Sequence, residues 1–355
     1  MSTQDTDTRP RTLAIHQHYG IGDLVWHIPY FRALAQQSQH GQISVLATPS
    51  TCAKALLSCE TCIEDVFEFD YRPRRSERRK GTHKGLKAQL AFAKTLRQKK
   101  FDRVFIFGDK MRFGLLAFMA RIPKRYGYGF RLEERLFLNQ KPYIKPFQGE
   151  GSWVYPEATA FAIAHGLVDG PIVPKMQVAP EKIKRAQALY AHLPWPIYAF
   201  AIGSSEPYKQ WGASKFAVLA NTLAEHGASV ILLGGRAERY LAEDILRWVP
   251  EKYKNRVLPE TEGSILDTAA ILCCSDFLIG NDTGVLNMAA ACNLPCLGLF
   301  GGTLPLLHDP ILHAIQSENI GSLKPEAVWA RLHELHAPGL NTNQQIFFSS
   351  ADSKL

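Results

Sequence analysis

Features of secreted, disulfide-bonded and membrane-spanning proteins are scarce in this sequence. The chain has seven cysteines in 355 residues, an odd number that argues against a disulfide scaffold. The opening residues, MSTQDTDTRPR, are polar and lack the apolar stretch of a secretory signal. No uncharged apolar run reaches the roughly 18 residues that a membrane-spanning helix needs. We therefore expect a cytoplasmic protein.

A metal site is also poorly supported by the sequence. Cys59 and Cys62 form one C-x-x-C pair, with Cys52 seven residues before Cys59. A zinc site needs a fourth ligand at matching spacing, and none stands out. We expect these cysteines to be small core thiols, and we expect no metal and no cofactor.

Positive charge is concentrated in one segment. The net charge of the chain is +8, and residues 72–87 alone carry eight Lys and Arg against the single acid Glu77. Such a patch attracts phosphates, carboxylates or anionic lipid, although a solvated loop has the same composition. The segment lacks the interleaved aromatic residues of single-strand binders, so we do not expect nucleic acid as a partner.

Strands and helices alternate along both halves of the chain. In the first half the pattern predicts strands at 12–19, 43–48, 65–69 and 102–108, with helices at 23–39, 51–58, 86–99 and 156–166. In the second half it predicts strands at 197–202, 229–233, 277–280 and 296–300, with helices at 181–191, 214–226, 237–248, 265–273, 285–292 and 324–336. This alternation is typical of parallel sheets in α/β proteins.

A segment rich in proline and glycine, residues 166–180, separates the two halves. We predict an N-terminal domain over 1–170, a C-terminal domain over 171–337 and a disordered tail over 338–355. Each domain is expected to be doubly wound, and the two are expected to face each other across a cleft. Ligands in such domains bind at the carboxyl ends of the strands.

The first candidate loop, Gly20-Ile21-Gly22-Asp23, follows the first strand. Its glycines allow a tight turn and a close approach to a ligand. Asp23 could accept a proton from an attacking hydroxyl or act simply as a helix N-cap. The third glycine of a dinucleotide-binding loop would fall at Val25, which argues against a nicotinamide dehydrogenase.

Two further loops follow strands of the second half. Residues 202–211 contain Ser204, Ser205 and Lys209, which suit phosphate oxygens, although the loop is not a Walker A motif. Residues 277–292 lead from a strand into an alanine-rich helix. The amides of Thr283 and Gly284 would form an anion site at its N-terminus. Asp282, being negative, is expected to cap the helix or to hold a hydroxyl or the lysine.

Taken together, these loops resemble the ADP-heptose:lipopolysaccharide heptosyltransferases, an inverting family with the GT-B fold, over about residues 12–335. The shared motifs are G-D followed by an apolar helix with a proline (Gly22 to Pro29), K-x-W (Lys209 to Trp211) and D-[ST]-G…A-A-A…P…F-G-x-T (Asp282 to Thr303). The resemblance implies a glycosyltransferase with Asp23 as general base, and no metal requirement.

The resemblance also implies binding residues for both substrates. The donor, a nucleotide-diphosphate sugar expected to be ADP-heptose, would contact Gly22, Ser204, Ser205, Lys209, Glu238, Asp282, Thr283, Gly284 and Asn287. An anionic glycolipid acceptor of lipopolysaccharide-core type would contact the arginines of the basic segment, Arg72, Arg74, Arg75, Arg78 and Arg79. The chain would then meet the cytoplasmic face of the inner membrane, transiently or as a peripheral protein.

Some positions depart from the family pattern. Asn287 stands where the family usually has His, and Ala201-Ile202-Gly203 stands where the strand before the lysine often ends in His. Asn can form a hydrogen bond but cannot carry charge. Two alternatives therefore stay open: a GT-B enzyme that uses another nucleotide sugar, as a hexosyltransferase or epimerase, and a non-catalytic relative that binds glycans or anions.

Overall fold

A computed structural model describes residues 7–73, 79–204, 206–305 and 308–340. The chain divides into two compact units between Gln177 and Val178. Each unit is a parallel sheet with helices between most successive strands. In the described ranges, every helix is too short or too polar to span a bilayer.

The first unit contains a five-stranded parallel sheet. Its strands are β1 (Thr12–His16), β2 (Ile43–Ala47), β3 (Ile63–Glu68), β4 (Arg103–Phe107) and β5 (Lys124–Gly127). Its helices are α1 (Ile21–Gln36), α2 (Ala53–Leu56), α3 (Leu86–Gln98), α4 (Met111–Met119), α5 (Leu132–Arg135) and α6 (Val154–Ala164). The strand order is β3-β2-β1-β4-β5. Central β1 is buried along its whole length, as a fully covered parallel strand requires.

The second unit contains a six-stranded parallel sheet. Its strands are β6 (Ile197–Ala201), β7 (Ser229–Leu233), β8 (Val257–Glu260), β9 (Phe277–Asn281), β10 (Cys296–Phe300) and β11 (Leu312–Gln316). Its helices are α7 (Pro180–Tyr190), α8 (Ala213–Glu225), α9 (Arg239–Arg247), α10 (Ile265–Cys274), α11 (Gly284–Ala291) and α12 (Pro325–Glu334). The strand order is β11-β10-β9-β6-β7-β8.

The strands and helices predicted from the alternating pattern are confirmed, with ends that differ by a few residues. Three strands, β5, β8 and β11, and two helices, α4 and α5, were missed. Two of these strands, β5 and β8, have only four residues each, and both lie at sheet edges. Short edge strands are partly exposed and therefore lack the continuous apolar run of a central strand.

The strand order places a topological switch point in each sheet. In the first sheet the chain leaves β1 towards β2 and later returns to the other side of β1 with β4. In the second sheet β6 and β9 are related in the same way. Loops that follow such neighbouring strands diverge and leave a crevice at their carboxyl ends. The three candidate loops of the sequence analysis follow β1, β6 and β9, which are among these strands.

Three histidines pack together beneath the loop that follows β1. The Nδ1 atoms of His16 and His27 lie 2.6 Å apart and form a hydrogen bond, and the His18 ring lies 5.5 Å from that of His16. The Nε2 atoms of all three are buried without a hydrogen-bond partner among the described residues. Burial lowers the pKa of His18 to about 4 and holds the pKa of His16 and His27 well below its usual value.

Neutral buried histidines make the first unit acid-sensitive. Their pKa in the folded state lies below the unfolded value of 6.5. Their contribution to the free energy of unfolding is therefore complete above pH 6.5 and is lost as the pH falls below that value. We expect the free energy of unfolding to fall by about 1 kcal/mol per histidine between pH 6.5 and 5.5.

The variant His27→Phe removes one of these groups and should lose less stability than the wild type over that interval. Urea unfolding at both pH values measures the difference. The exposed His192 supplies the control variant His192→Phe, which should keep the wild-type pH dependence. An unchanged pH dependence in His27→Phe would contradict this account.

Candidate functional site

The loop after β1 positions Asp23 in the first turn of α1. Gly20 is the N-cap residue, and its backbone N–H donates to the Asp23 carboxylate over 3.2 Å. Asp23 is therefore the third helical residue and not the N-cap, although its carboxylate still binds an amide at the helix start. A Cβ at position 20 would lie 2.7 Å from an oxygen of the Asp23 carboxylate, so a larger residue there would displace this carboxylate.

Asp23 lines a cavity of about 700 Å³ in the first unit. Its walls come from the loops after β1 and β4 and from the segment between Phe130 and Glu157. Aromatic side chains and charged groups share this wall, including Tyr19, Trp153, Asp109, Lys110 and Arg131. A cavity with apolar ring faces and charged groups suits a sugar that carries an acidic group.

Gln17 fixes the two loops that form the floor of this cavity. Its Nε2 donates to Asp109 Oδ1 over 2.8 Å, and its Oε1 accepts the backbone N–H of Lys110 over 2.9 Å. Gly108 makes this contact possible, because a Cβ there would lie 1.7 Å from the Gln17 side chain. Burial opposes ionisation of Asp109, but the Gln17 hydrogen bond and the nearby Lys110 hold its pKa below the usual value.

A second recess of about 320 Å³ shares Asp109, Lys110 and Arg131 with the large cavity. Arg112 also lines it, with its guanidinium 4.0 Å from the centre of the Tyr71 ring. Burial and the nearby Asp109 raise the pKa of Glu134, on the same wall, to about 7. Lys110, Arg112 and Arg131 thus present three cations beside Asp109 and a carboxyl group that is partly protonated at neutral pH.

The arginines predicted from the basic segment have a different arrangement. Arg79 forms a salt bridge with the buried Asp70, and Arg72 is exposed. Arg74, Arg75 and Arg78 lie outside the described residues. The recess cations were missed by sequence reasoning. Lys110 and Arg112 follow β4 directly, so their position after a predicted central strand was the signal that pointed to them.

The second unit brings Lys209 and Asp282 together. Lys209 Nζ lies 2.5 Å from Asp282 Oδ2, and both side chains are largely buried. The Thr303 hydroxyl donates to the same carboxylate oxygen over 3.2 Å. Asp282 holds the lysine and a hydroxyl, two of the roles predicted for it, while the N-cap of α11 is Thr283. The loops after β6, β9 and β10 therefore meet at one carboxylate.

Asn281, a residue that sequence reasoning passed over, ties these loops together. It is completely buried at the end of β9. Its Nδ2 donates to the Ile202 carbonyl over 2.8 Å and to Gln210 Oε1 over 2.7 Å, and its Oδ1 accepts the Trp211 N–H over 3.1 Å. These bonds hold both ends of the loop that carries Lys209. An amide is needed because the site requires a donor and an acceptor on one side chain.

The N-terminus of α11 supplies backbone N–H groups beside Lys209. Thr283 precedes the helix, and its Oγ1 is buried without a hydrogen-bond partner in the described part of the chain. Asn287 lies one turn into the helix and is half-buried. The unpaired amides and the dipole of a helix N-terminus favour an anion. The buried alanines 289–291 let the helix lie close to the sheet.

Ser204 and Glu238, also predicted to contact the donor, lie after β6 and β7, whereas Gly22 is a buried residue of α1 in the first unit. Ser204 Oγ donates to the Glu206 carbonyl over 3.0 Å, and Ser205 is outside the described residues. Glu238 Oε2 accepts the Gly235 N–H over 2.8 Å. Gly203 packs beside Glu238, since a Cβ there would lie 3.1 Å from the Glu238 carboxyl carbon. Glu238 is thus next to the same loop as Lys209.

The predicted site residues thus form two groups, one in each unit. The first combines a carboxylate with a sugar-sized cavity and cations, and the second combines a lysine with a helix N-terminus. The first arrangement suits a general base, and the second suits stabilisation of a leaving diphosphate. No cluster of three or more His, Cys, Asp or Glu within the described ranges is arranged to hold a metal ion.

Known proteins resemble this chain over most of its length. The sequence profile of glycosyltransferase family 9 (heptosyltransferase) matches residues 89–326. Lipopolysaccharide heptosyltransferase 2 of Escherichia coli strain K12 is 25% identical over 308 residues, covering 82% of this chain and 83% of that protein.

Two solved structures share the fold. The family 9 glycosyl transferase of Veillonella parvula has a TM-score of 0.77 at 18% identity, covering 92% of this chain and 97% of that one. Escherichia coli heptosyltransferase WaaC with ADP-2-deoxy-2-fluoro heptose has a TM-score of 0.69 at 19% identity, covering 92% and 99%. The two parallel sheets are therefore those of the GT-B fold.

The family profile spans well over half of the chain, and the likeness to a solved family 9 structure agrees with it. The chain belongs to glycosyltransferase family 9, the heptosyltransferase family.

Proposed function

We propose that the protein transfers a heptose from ADP-heptose to an anionic, lipopolysaccharide-core-type acceptor, with inversion at the anomeric carbon. The observation that supports this most strongly is the contact between Lys209 and Asp282 at the N-terminus of α11. It places a cation beside unpaired helix amides at the switch point of the second sheet, where a diphosphate is best stabilised.

The second unit is the proposed donor site. Lys209 exchanges Asp282 for a phosphate oxygen when the donor binds, and Asp282 remains bonded to the Thr303 hydroxyl. The Thr283 hydroxyl, buried and without a partner among the described residues, then donates to the diphosphate. Glu238 accepts a ribose hydroxyl. As the bond between the sugar and the diphosphate breaks, negative charge grows on the diphosphate. These donors therefore stabilise the transition state more than the ground state.

The first unit is the proposed acceptor site. Asp23 accepts the proton of the acceptor hydroxyl, which attacks the anomeric carbon on the face opposite the nucleotide. The Gly20 amide holds the carboxylate in place before the reaction. Lys110, Arg112 and Arg131 bind the acidic groups of the acceptor from the adjoining recess. The proposal adds these three cations to the arginines of the basic segment, whose role stays a prediction.

A second candidate is a GT-B transferase with a different nucleotide sugar. Asn287 favours it, because the heptosyltransferases that this sequence resembles usually carry His there. An asparagine beside the diphosphate offers a hydrogen bond without charge. An epimerase is distinguished by conversion of the donor in the absence of any acceptor.

Nucleotide binding can be tested with the Lys209–Asp282 pair. We expect ADP and ADP-heptose to raise the melting temperature of the wild type, since a ligand at 100 times its dissociation constant adds about 2.7 kcal/mol. Lys209→Ala should abolish most of this shift. The matched control is Lys182→Ala, which removes a comparable salt bridge to Asp267 at 2.7 Å in the same unit. A shift with UDP or GDP compounds alone would favour the second candidate.

If no nucleotide stabilises the wild type, the chain is not a nucleotide-sugar transferase. The remaining alternative would then be a non-catalytic relative that binds an anionic glycan.

The general base can be tested with Asp23→Asn, which can still accept the Gly20 N–H but is a much weaker base. We expect the rate of heptose transfer to fall about 10²–10⁴-fold, with the ADP-heptose affinity unchanged. Asp102→Asn is the control, because Asp102 also accepts a backbone N–H, that of Arg11 over 2.8 Å, and does not line the cavity. Transfer by Asp23→Asn at the wild-type rate would exclude this role.

A further inference from the structure

A patch of apolar side chains is exposed on helices α4 and α5 of the first unit. Leu132 and Leu136 lie one helical turn apart and are 76% and 75% exposed. Met111 and Phe118, seven residues apart on α4, are 41% and 53% exposed. Residues at these spacings share one face of a helix. We call these four side chains the apolar ridge.

The two helices of the ridge are packed together. A Cβ at Gly114 of α4 would lie 3.1 Å from the Phe137 side chain, which directly follows Leu136. The rings of Phe118 and Phe137 are 5.9 Å apart. The helices that carry the ridge are therefore packed against each other, and exposed apolar surface of this kind marks an interaction site.

The ridge is embedded in positive charge. Residues 110–141 contain eight Lys and Arg against only Glu133 and Glu134, and Glu134 is buried. Arg121, Lys124 and Arg135 are exposed in the same segment. Apolar side chains surrounded by Lys and Arg suit the boundary between the headgroups and acyl chains of an anionic bilayer. Two copies of this surface would repel each other, which disfavours a homodimer through the ridge.

The ridge borders the proposed acceptor site. Met111 lines the recess that holds Lys110 and Arg131. Leu132 lies between Arg131 and Glu133, which both line that recess. Side chains inserted into a bilayer at this point would hold the recess at the membrane surface, where the sugar of a lipid-linked acceptor emerges.

We propose that the apolar ridge docks the protein on a bilayer that contains anionic phospholipid, and that this docking presents lipid-linked acceptor to the recess. This inference rests on the proposed function, because docking on a bilayer helps catalysis only if the acceptor is lipid-linked. The docking itself depends only on the ridge and the surrounding cations.

The test is co-sedimentation of the full chain with vesicles of phosphatidylcholine alone and with vesicles that also contain phosphatidylglycerol. We expect binding to the anionic vesicles only, because the cations and the ridge act together. The double variant Leu132→Ser/Leu136→Ser should bind them about tenfold more weakly. Leu189→Ser, at an exposed leucine of the second unit, should bind like the wild type. Melting temperatures of both variants verify the fold.

Activity separates this inference from the proposed function. The double variant should transfer sugar to a water-soluble, delipidated acceptor at the wild-type rate and to the same acceptor in vesicles at a lower rate. Undiminished vesicle binding by a folded double variant would overturn the docking, whatever the activity. Dimerisation of the protein through the ridge in solution would also overturn the docking. Light scattering would detect it as a molar mass that is lower in the double variant than in the wild type.

Discussion

The proposed donor site depends on the hydrogen bonds of one buried asparagine. Asn281 ends the strand β9 and binds the backbone on both sides of the loop that carries Lys209. These bonds hold the loop between β6 and α8, so that its lysine stays beside Asp282 and the start of α11. A satisfied polar network of this kind selects one conformation, since each of its groups would cost free energy if buried alone. Lys209 and the helix amides are thereby oriented before any nucleotide arrives, which is the condition for electrostatic catalysis.

The first unit uses a similar device at its own switch point. Gln17 bonds across from the loop after β1 to the loop after β4, much as Asn281 joins the loops after β9 and β6. In both units a carboxamide joins the ends of two neighbouring parallel strands, and the charged residues of the site follow directly. The roles proposed for the two units follow from this arrangement. In the proposal, the first unit supplies the base and the cations for the acceptor, and the second stabilises the leaving diphosphate.

The fold was predictable because its central strands are largely apolar, buried runs bounded by turns. The positions of Asp23, Lys209, Asp282 and Thr283 in loops or helix starts after strands were also predictable, because each belongs to a motif that follows a strand. The recess cations were not predictable. Arg131 lies in the same recess as Lys110 and Arg112 only through tertiary packing around an edge strand that sequence reasoning missed. Asn281 was passed over for a related reason. Its role lies in hydrogen bonds to residues about 70 positions away in the sequence, which no local pattern records.

Titration of ADP into Asn281→Ala tests most directly whether this network builds the donor site. The wild type and the control Asn221→Ala, whose side chain donates to the Trp248 carbonyl over 2.9 Å in the same unit, should bind ADP with similar affinity. Asn281→Ala should bind it at least about tenfold more weakly, because the Lys209 loop loses its anchors. Circular dichroism and a cooperative thermal transition verify that the variant is folded. A folded Asn281→Ala that binds ADP as tightly as the wild type would contradict the account.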